Sequence, residues 1–345
     1  MNGFDVSALS NPETRLLVVG PNWLGDSIMA MPALQVLRDR LHPQARLDLA
    51  VKPGQAGLWA LHKAPDAVLA LPPETRMLRE NVRRLKRNAY SHVIFLPNSF
   101  RSALAPALAG IPVRRGTASQ GRHLLINDPV RPDMRPDRHQ QWENSDLLLP
   151  APPPDTLPAP DLQAPDAQRR TSLARIAEYP RPLLALIPGA ARGPSKCWPA
   201  ERFLAVARAW TEETKGSTLW LGTSSDINLC HDLHRKLSPA LSINLAGKTG
   251  LSEFAALLQV SDRVVANDSG GMHLAAALGT PVVAIFGLTS PLKTGPLHPQ
   301  AVVVQQARTF DRAIARNSPS ARAALEAVSA VQVIERVLAI PSDRG

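Results

Sequence analysis

The stretch "VANDSGGMHLAAALGTPVVAIFG", residues 265–287, places a group of small and polar residues between two apolar segments. A buried strand is predicted over 263–268, an alanine-rich helix over 272–278, and a further strand over 281–287. This strand–helix–strand order is typical of a parallel sheet. It puts Asn267, Asp268 and Ser269 at the carboxyl end of a strand, where open α/β sheets bind their ligands.

Alternating strands and helices continue on the N-terminal side of this stretch. Strands are predicted over 15–20, 45–51, 92–97, 183–189, 217–222 and 242–247, and helices over 26–40, 200–214, 226–237 and 251–259. Two such series predict an α/β fold with two Rossmann-like parallel-sheet domains that face each other across a cleft.

A proline-rich segment over about 147–168 separates the two series and predicts an interdomain linker. The expected domains are therefore 1–165 and 166–345, which agrees with a chain of 345 residues being too long for one ordinary core. Helical spacing of apolar residues resumes over 320–339.

The composition is that of a globular protein, with 44% hydrophobic and 20% charged residues. No apolar run is long enough for a membrane span, the first residues do not resemble a signal peptide, and the two cysteines form no metal or disulfide pattern. These features favour a cytoplasmic location. The net charge of +10 favours a polyanionic partner, namely nucleic acid, a membrane surface or a phosphorylated substrate.

Two groups of residues in the C-terminal half are suited to phosphate. Ser269, Gly270 and Gly271 begin a helix, whose N–H groups and dipole attract anions, although a cap and a tight turn would explain the same residues. In "IPGAARGPSKCWPAERF", residues 187–203, Lys196 follows the first strand of the same domain. Its place between Pro194 and a Trp-Pro pair favours a fixed pyrophosphate contact over a solvated surface charge.

The N-terminal half carries a third candidate in "VVGPNWLGDSIMAMPALQVL", residues 18–37. Asp26 lies where the first strand passes into the first long helix, and it is either a functional carboxylate or a helix N-cap. The glycines here do not form the G-x-G-x-x-G fingerprint, which weakens the prediction of a dehydrogenase.

These three segments, in this order and spacing, resemble glycosyltransferase family 9, the ADP-heptose:lipopolysaccharide heptosyltransferases, and most closely the heptosyltransferase II branch. The similarity extends to "LPNSFRSALAPALAGIPVRRG" (96–116) and "NLAGKTGLSEFAALL" (244–258), and covers residues from about 15 to 300. It fades over 117–180 and after His298.

The resemblance implies a GT-B fold with the acceptor site in the N-terminal domain and the nucleotide-sugar site in the C-terminal domain. The last helix is expected to cross back to the N-terminal domain. The family is inverting, and by its position in the motif Asp26 is the expected general base. No cofactor and no obligatory metal are expected, since GT-B enzymes generally need none and no D-x-D pair occurs.

The resemblance also implies further site residues. The expected donor-binding residues are Ser195, Lys196, Asp226, Thr249, Asp268, Ser269, Gly270, Gly271 and His273. Among them, Asp226 binds the ribose or caps a helix, Thr249 lines the adenine, and His273 contacts phosphate or sugar or is merely packed. The expected acceptor-binding residues are Asn98, Ser99, Arg101 and Arg115.

The expected partners are an ADP-heptose donor and an anionic lipopolysaccharide inner-core acceptor at the cytoplasmic face of the inner membrane. Attraction to such a surface is explained by the basic stretch 76–88 together with Arg101, Arg114, Arg115 and Arg122. The alternative is that this stretch is an ordinary solvated helix face. No nucleic-acid module is recognisable.

Two alternative functions remain. The first is another nucleotide-sugar enzyme, which uses a different donor or acceptor or acts as an epimerase. The second is a non-enzymatic polyanion-binding protein.

Overall fold

The computed structural model describes residues 3–97, 99–150, 152–307 and 314–341. The chain divides into two compact units, Met1–Asp161 and Leu162–Gly345. The division falls inside the proline-rich segment, slightly before the boundary expected at residue 165. Leu162 and Ala164 are each only 3% exposed, so the end of that segment is already packed into the second unit.

The first unit contains one parallel six-stranded sheet in the order β3-β2-β1-β4-β5-β6. Its strands are β1 (Arg15–Val19), β2 (Arg46–Val51), β3 (Ala67–Ala70), β4 (His92–Phe95), β5 (Val113–Gly116) and β6 (Asp128–Pro129). Its helices are α1 (Val6–Ser10), α2 (Leu24–Arg40), α3 (Pro53–Trp59), α4 (Leu78–Arg87), α5 (Phe100–Leu108) and α6 (Gln140–Leu148).

The second unit repeats this architecture with the sheet order β12-β11-β10-β7-β8-β9. Its strands are β7 (Leu183–Ile187), β8 (Ser217–Trp220), β9 (Ser242–Asn244), β10 (Arg263–Asn267), β11 (Val282–Ile285) and β12 (Val302–Val304). Its helices are α7 (Asp166–Arg175), α8 (Ala200–Thr214), α9 (Ile227–His234), α10 (Leu251–Val260), α11 (Gly270–Ala277), α12 (Pro291–Thr294), α13 (Pro319–Glu326) and α14 (Ala330–Ala339).

Both sheets have the strand order of the dinucleotide-binding fold, in which the order reverses at one point. That switch point lies between β1 and β4 in the first unit and between β7 and β10 in the second. The prediction of two Rossmann-like parallel sheets is therefore confirmed. In each unit the loops that leave the two strands at the switch point carry the candidate residues.

The apolar pattern of the sequence accounts for the central elements of both units. In α2, the predicted face of Ile28, Met31, Leu34 and Leu37 is buried, with no side chain more than 1% exposed. Every residue of β7 and β10 is buried, as expected for strands covered by helices on both faces. These buried elements form the rigid base from which the site loops emerge.

The last described helix, α14, is part of the second unit. Val333 and Val337 of this helix lie in the core with α8 and β11. The guanidinium of Arg263, in β10, also donates to the Val337 carbonyl at 2.7 Å. The expected crossing of the last helix to the first unit stays a prediction.

Candidate active site

Asp26 lies in the first turn of α2, directly after the carboxyl end of β1. The N-cap of this helix is Trp23, with φ −118° and ψ 148° and no side-chain capping bond. The alternative that Asp26 is the N-cap is therefore wrong. A carboxylate in the first turn is nevertheless well placed, because the helix dipole favours negative charge there.

One oxygen of the Asp26 carboxylate is held by a neutral donor. Gln140 Nε2, in the first residue of α6, donates to Asp26 Oδ1 at 2.9 Å. Helices α2 and α6 pack together, and Asn144 Nδ2 donates to the Met29 carbonyl at 3.1 Å. Among the described residues, Asp26 Oδ2 has no hydrogen-bond partner. The carboxylate is thus oriented without being neutralised by a cation.

The predicted acceptor residues of the neighbouring loop follow β4. Ser99 is the N-cap of α5, and its carbonyl accepts from the Ser102 hydroxyl at 2.6 Å. Arg101 is exposed in the first turn of the same helix. Asn98 lies outside the described residues. The acceptor role of these three residues stays a prediction.

Arg115 occupies a structural position that the sequence did not indicate. Its guanidinium donates to the Leu147 carbonyl at 2.8 Å, the Leu149 carbonyl at 3.2 Å and Asp128 Oδ2 at 3.2 Å. The side chain is 11% exposed. These contacts satisfy carbonyls at the end of α6, and the acceptor contact at Arg115 stays a prediction.

Arg122 is likewise buried, although the sequence placed it among the surface charges. It is 0% exposed and donates to the carbonyls of Pro97 and Thr117, each at 2.6 Å. Its guanidinium also lies 5.7 Å from the centre of the Phe95 ring. Since Pro97 follows β4 and Thr117 follows β5, this one side chain joins the loop after β4, which leads to Ser99, to the loop after β5.

In the second unit, Lys196 and Asp268 meet at the switch point. Lys196 Nζ lies 2.5 Å from Asp268 Oδ2, and the two side chains are 14% and 7% exposed. Thr289 Oγ1, after β11, donates to the same carboxylate oxygen at 2.6 Å. Lys196 is held by this ion pair rather than solvated, and its pyrophosphate contact stays a prediction. Thr289 is a partner that sequence reasoning missed.

Asn267 braces the loop that carries Lys196. Its side chain is fully buried, with Oδ1 accepting from the Trp198 backbone N–H at 3.0 Å and Nδ2 donating to the Pro188 carbonyl at 2.8 Å. The two ends of the loop after β7 are thereby tied to the end of β10. Asn267 lies in the stretch 265–287, but the sequence pattern did not distinguish this bracing role from that of a turn residue.

The N-terminus of α11 borders the same site. Ser269 is its N-cap but makes no capping bond, and its buried hydroxyl has no hydrogen-bond partner among the described residues. Gly270 and Gly271 form the first turn. A Cβ on Gly271 would lie 2.8 Å from Ile187 Cδ1, so a larger residue here would require the Ile187 side chain to shift. His273 is 4% exposed one turn into the helix.

Ser195 is engaged within the protein. Its hydroxyl lies 2.7 Å from the Ala315 and Arg316 carbonyls and accepts from the Ser318 N–H at 2.8 Å. The side chain is 5% exposed. This hydroxyl joins the Lys196 loop to the segment before α13. The donor contact at Ser195 stays a prediction.

The two remaining donor-site predictions lie at the ends of β8 and β9. Asp226 Oδ2 accepts from the N–H and the hydroxyl of Thr223, both at 2.8 Å, in a capping box. A Cβ on Gly189 would lie 2.1 Å from Asp226 Oδ1, so this carboxylate also faces the loop after β7. Asp226 directly precedes α9 but makes no side-chain capping bond to it. In the capping box the N-cap is Thr223, so the alternative that Asp226 is a capping N-cap is not borne out, and ribose binding stays a prediction. Thr249 is half-buried just before α10.

The described residues contain no group of three or more histidine, cysteine, aspartate or glutamate side chains arranged to hold a metal ion. In the same part of the chain, no helix combines the length and apolar character that crossing a membrane requires.

Comparison with known proteins defines the family. Residues 78–320 match glycosyltransferase family 9 (heptosyltransferase). The chain is 33% identical to lipooligosaccharide heptosyltransferase 2 of Haemophilus ducreyi over 311 residues, which are 84% of this chain and 88% of that protein. It is 31% identical to lipopolysaccharide heptosyltransferase 2 of Escherichia coli K12 over 316 residues, with the same shares of 84% and 88%.

The solved structure of E. coli ADP-heptose lipopolysaccharide heptosyltransferase II is also similar, with a TM-score of 0.83 and 27% identity over 95% of this chain and 98% of that one. The chain belongs to glycosyltransferase family 9, the heptosyltransferase family, and the predicted GT-B fold class is confirmed.

Proposed function

We propose that this protein is a heptosyltransferase II, which transfers heptose from ADP-L-glycero-D-manno-heptose to the heptose of the lipopolysaccharide inner core. The observation that carries the proposal is the Lys196–Asp268 pair at the switch point of the second unit. Nucleotides bind at this point in Rossmann-like sheets. The names of the similar proteins support the choice of sugar and acceptor.

The second unit is the donor site in this proposal. The Lys196 ammonium leaves Asp268 and binds the pyrophosphate. The pyrophosphate oxygens also accept hydrogen bonds from the N–H groups of Gly270 and Gly271. The buried Ser269 hydroxyl, which has no partner among the described residues, supplies a further donor. Asp226 and Thr249, at the ends of β8 and β9, lie toward the ribose and adenine.

The remaining donor-side prediction concerns His273. Its side chain is buried one turn into α11, and we assign it to the sugar or phosphate side of the donor.

The first unit supplies the base. The acceptor hydroxyl oxygen attacks the anomeric carbon as the bond from that carbon to the β-phosphate oxygen breaks. The proton passes to Asp26 Oδ2, and ADP leaves with the bonding electrons. A single displacement of this kind inverts the anomeric centre. Developing charge on ADP is stabilised by Lys196 and the α11 N-terminus rather than by a metal ion.

Replacement of Asp26 by asparagine tests this assignment. Because the amide keeps the shape but cannot accept the proton, turnover should fall by about 10²–10⁴-fold. The Kd for ADP should stay at the wild-type value. Turnover is measured as ADP release with ADP-heptose and a heptose-bearing core oligosaccharide, in the presence of EDTA.

The matched control is Asp39→Asn, an exposed aspartate at the other end of α2, which should keep full activity. Near-wild-type turnover in the Asp26→Asn variant would refute the general-base role. Complete and reversible loss of wild-type turnover in EDTA would refute metal independence.

Replacement of Lys196 by alanine tests the donor site. A charge-assisted hydrogen bond contributes about 1.5–3 kcal/mol, so the Kd for ADP should rise by about tenfold or more. Calorimetric titration of ADP measures this, and thermal unfolding checks that the variant is folded.

Lys236→Ala is the control, because Lys236 forms an ion pair with Glu201 at 2.7 Å on the exposed surface. It should leave ADP binding unchanged. Equal ADP affinity in both lysine variants would remove Lys196 from the donor site.

We further propose that the protein works as a peripheral protein at the cytoplasmic face of the inner membrane, where its anionic acceptor is anchored. The basic helix α4 is the contact surface. Arg83 and Arg87 on this helix are exposed, whereas Arg84 donates to the Ala70 carbonyl at 2.9 Å. The exposed pair is therefore better suited than Arg84 to meet lipid phosphates.

Reversal of Arg83 and Arg87 to glutamate should weaken binding to anionic vesicles by about tenfold or more, since each basic residue near such a surface is worth about 1 kcal/mol. The effect should shrink as added salt shortens the Debye length. Vesicle sedimentation measures the affinity. A charge-matched reversal of the exposed Arg170 and Arg208 in the second unit is the control. Identical sedimentation of the two double variants would argue against α4 as the contact.

A further inference from the structure

Two donors meet at one oxygen of the Asp268 carboxylate. Lys196 Nζ lies 2.5 Å from Asp268 Oδ2, and the Thr289 hydroxyl donates to the same oxygen at 2.6 Å. The Asp268 side chain is only 7% exposed. A carboxylate buried to this degree needs polar partners to stay charged, because little water solvates it. The ammonium already neutralises this charge, so the threonine hydroxyl adds a second partner to a group that is already paired.

The two donors reach Asp268 from different parts of the second unit. Lys196 is in the loop after β7, whereas Thr289 is in the loop after β11. The threonine loop is held separately by Gln305, whose Nε2 donates to the Thr289 carbonyl at 2.9 Å and to the Gly287 carbonyl at 2.6 Å. Lys196 can therefore leave Asp268 while the threonine hydroxyl stays in place.

Departure of Lys196 from Asp268 is what the proposed donor site requires. When the ammonium binds the pyrophosphate, Asp268 loses its cation and gains an anionic neighbour. A buried carboxylate that has lost its partner is strongly unfavourable, and a nearby like charge makes it more so. That cost would oppose ADP binding unless another donor remained on the carboxylate. The Thr289 hydroxyl is already bound there.

We propose that Thr289 is a positioning residue for donor binding, which keeps the Asp268 carboxylate hydrogen-bonded and in place when Lys196 moves to the pyrophosphate. This inference rests on the proposed donor site. Thr289 acts through Asp268 and makes no contact with the nucleotide. Without the hydroxyl, Asp268 would keep Lys196 as a partner before ADP binds but would lose both side-chain donors afterwards. The ADP-bound state is therefore destabilised more than the ADP-free state.

Calorimetric titration of ADP tests this inference. Thr289→Val, which keeps the shape of the side chain and removes the hydroxyl, should raise the Kd for ADP by about tenfold. Thr289→Ala should give a similar rise, whereas Thr289→Ser, which restores the hydroxyl, should stay within about twofold of the wild type. Thermal unfolding checks that each variant is folded.

Thr294→Val is the control, because the Thr294 hydroxyl donates to the Ser290 carbonyl, at 3.4 Å, beside the short helix α12. It should leave the Kd for ADP unchanged. An unchanged Kd in both Thr289→Val and Thr289→Ala would overturn the inference.

A double-mutant cycle with Asp268→Asn separates action through Asp268 from direct contact with the nucleotide. The amide carries no charge to compensate, so adding Thr289→Val to Asp268→Asn should change the Kd for ADP by less than about twofold. An undiminished effect of Thr289→Val in that background would also overturn the inference, since it would place the hydroxyl on the nucleotide. Wild-type protein that binds no ADP would refute the proposed donor site itself.

Discussion

The loops at the switch point of the second unit converge on the ion pair between Lys196 and Asp268. Burying two opposite charges gains little net stability, because desolvation cancels much of their attraction, so such a pair is weak evidence of a stabilising role. Here several elements converge to hold it: Asn267 fixes the loop of the lysine, and Thr289 donates to the aspartate. Ser195 ties the same loop to the segment before α13. In the proposed function, the ammonium is already held at the switch point before a pyrophosphate arrives, and binding exchanges one anionic partner, Asp268, for another.

The corresponding point of the first unit shows the opposite electrostatic arrangement. Asp26 also follows a strand at the switch point, but its partner is the neutral amide of Gln140. A cationic partner would stabilise the carboxylate and weaken its ability to accept a proton. An amide orients the group and leaves its charge uncompensated. In the proposed function, the same topology presents a cation to the leaving group in the second unit and a proton acceptor to the nucleophile in the first.

Much of this arrangement could be predicted from the sequence, because apolar periodicity and the position of polar residues after strands are local signals. The helix over 200–214 and the buried face of α2 are found where the pattern predicts them. The short strand β5 was missed, since its sequence Val-Arg-Arg-Gly has no apolar pattern. Arg115 and Arg122 looked like surface charges, and only the fold brings the Leu147 and Pro97 carbonyls to them. Gln140 could not have been found for the same reason: its partner is 114 residues away.

Mass spectrometry of the reaction products tests the central claim most directly. The protein is incubated with ADP-heptose and a heptose-bearing inner-core oligosaccharide, and acceptor and nucleotide are both analysed. The account predicts an acceptor heavier by one heptosyl unit and an equal amount of ADP, with no change when the acceptor is omitted. Conversion of the nucleotide sugar without acceptor, or an acceptor of unchanged mass beside intact ADP-heptose, would contradict it.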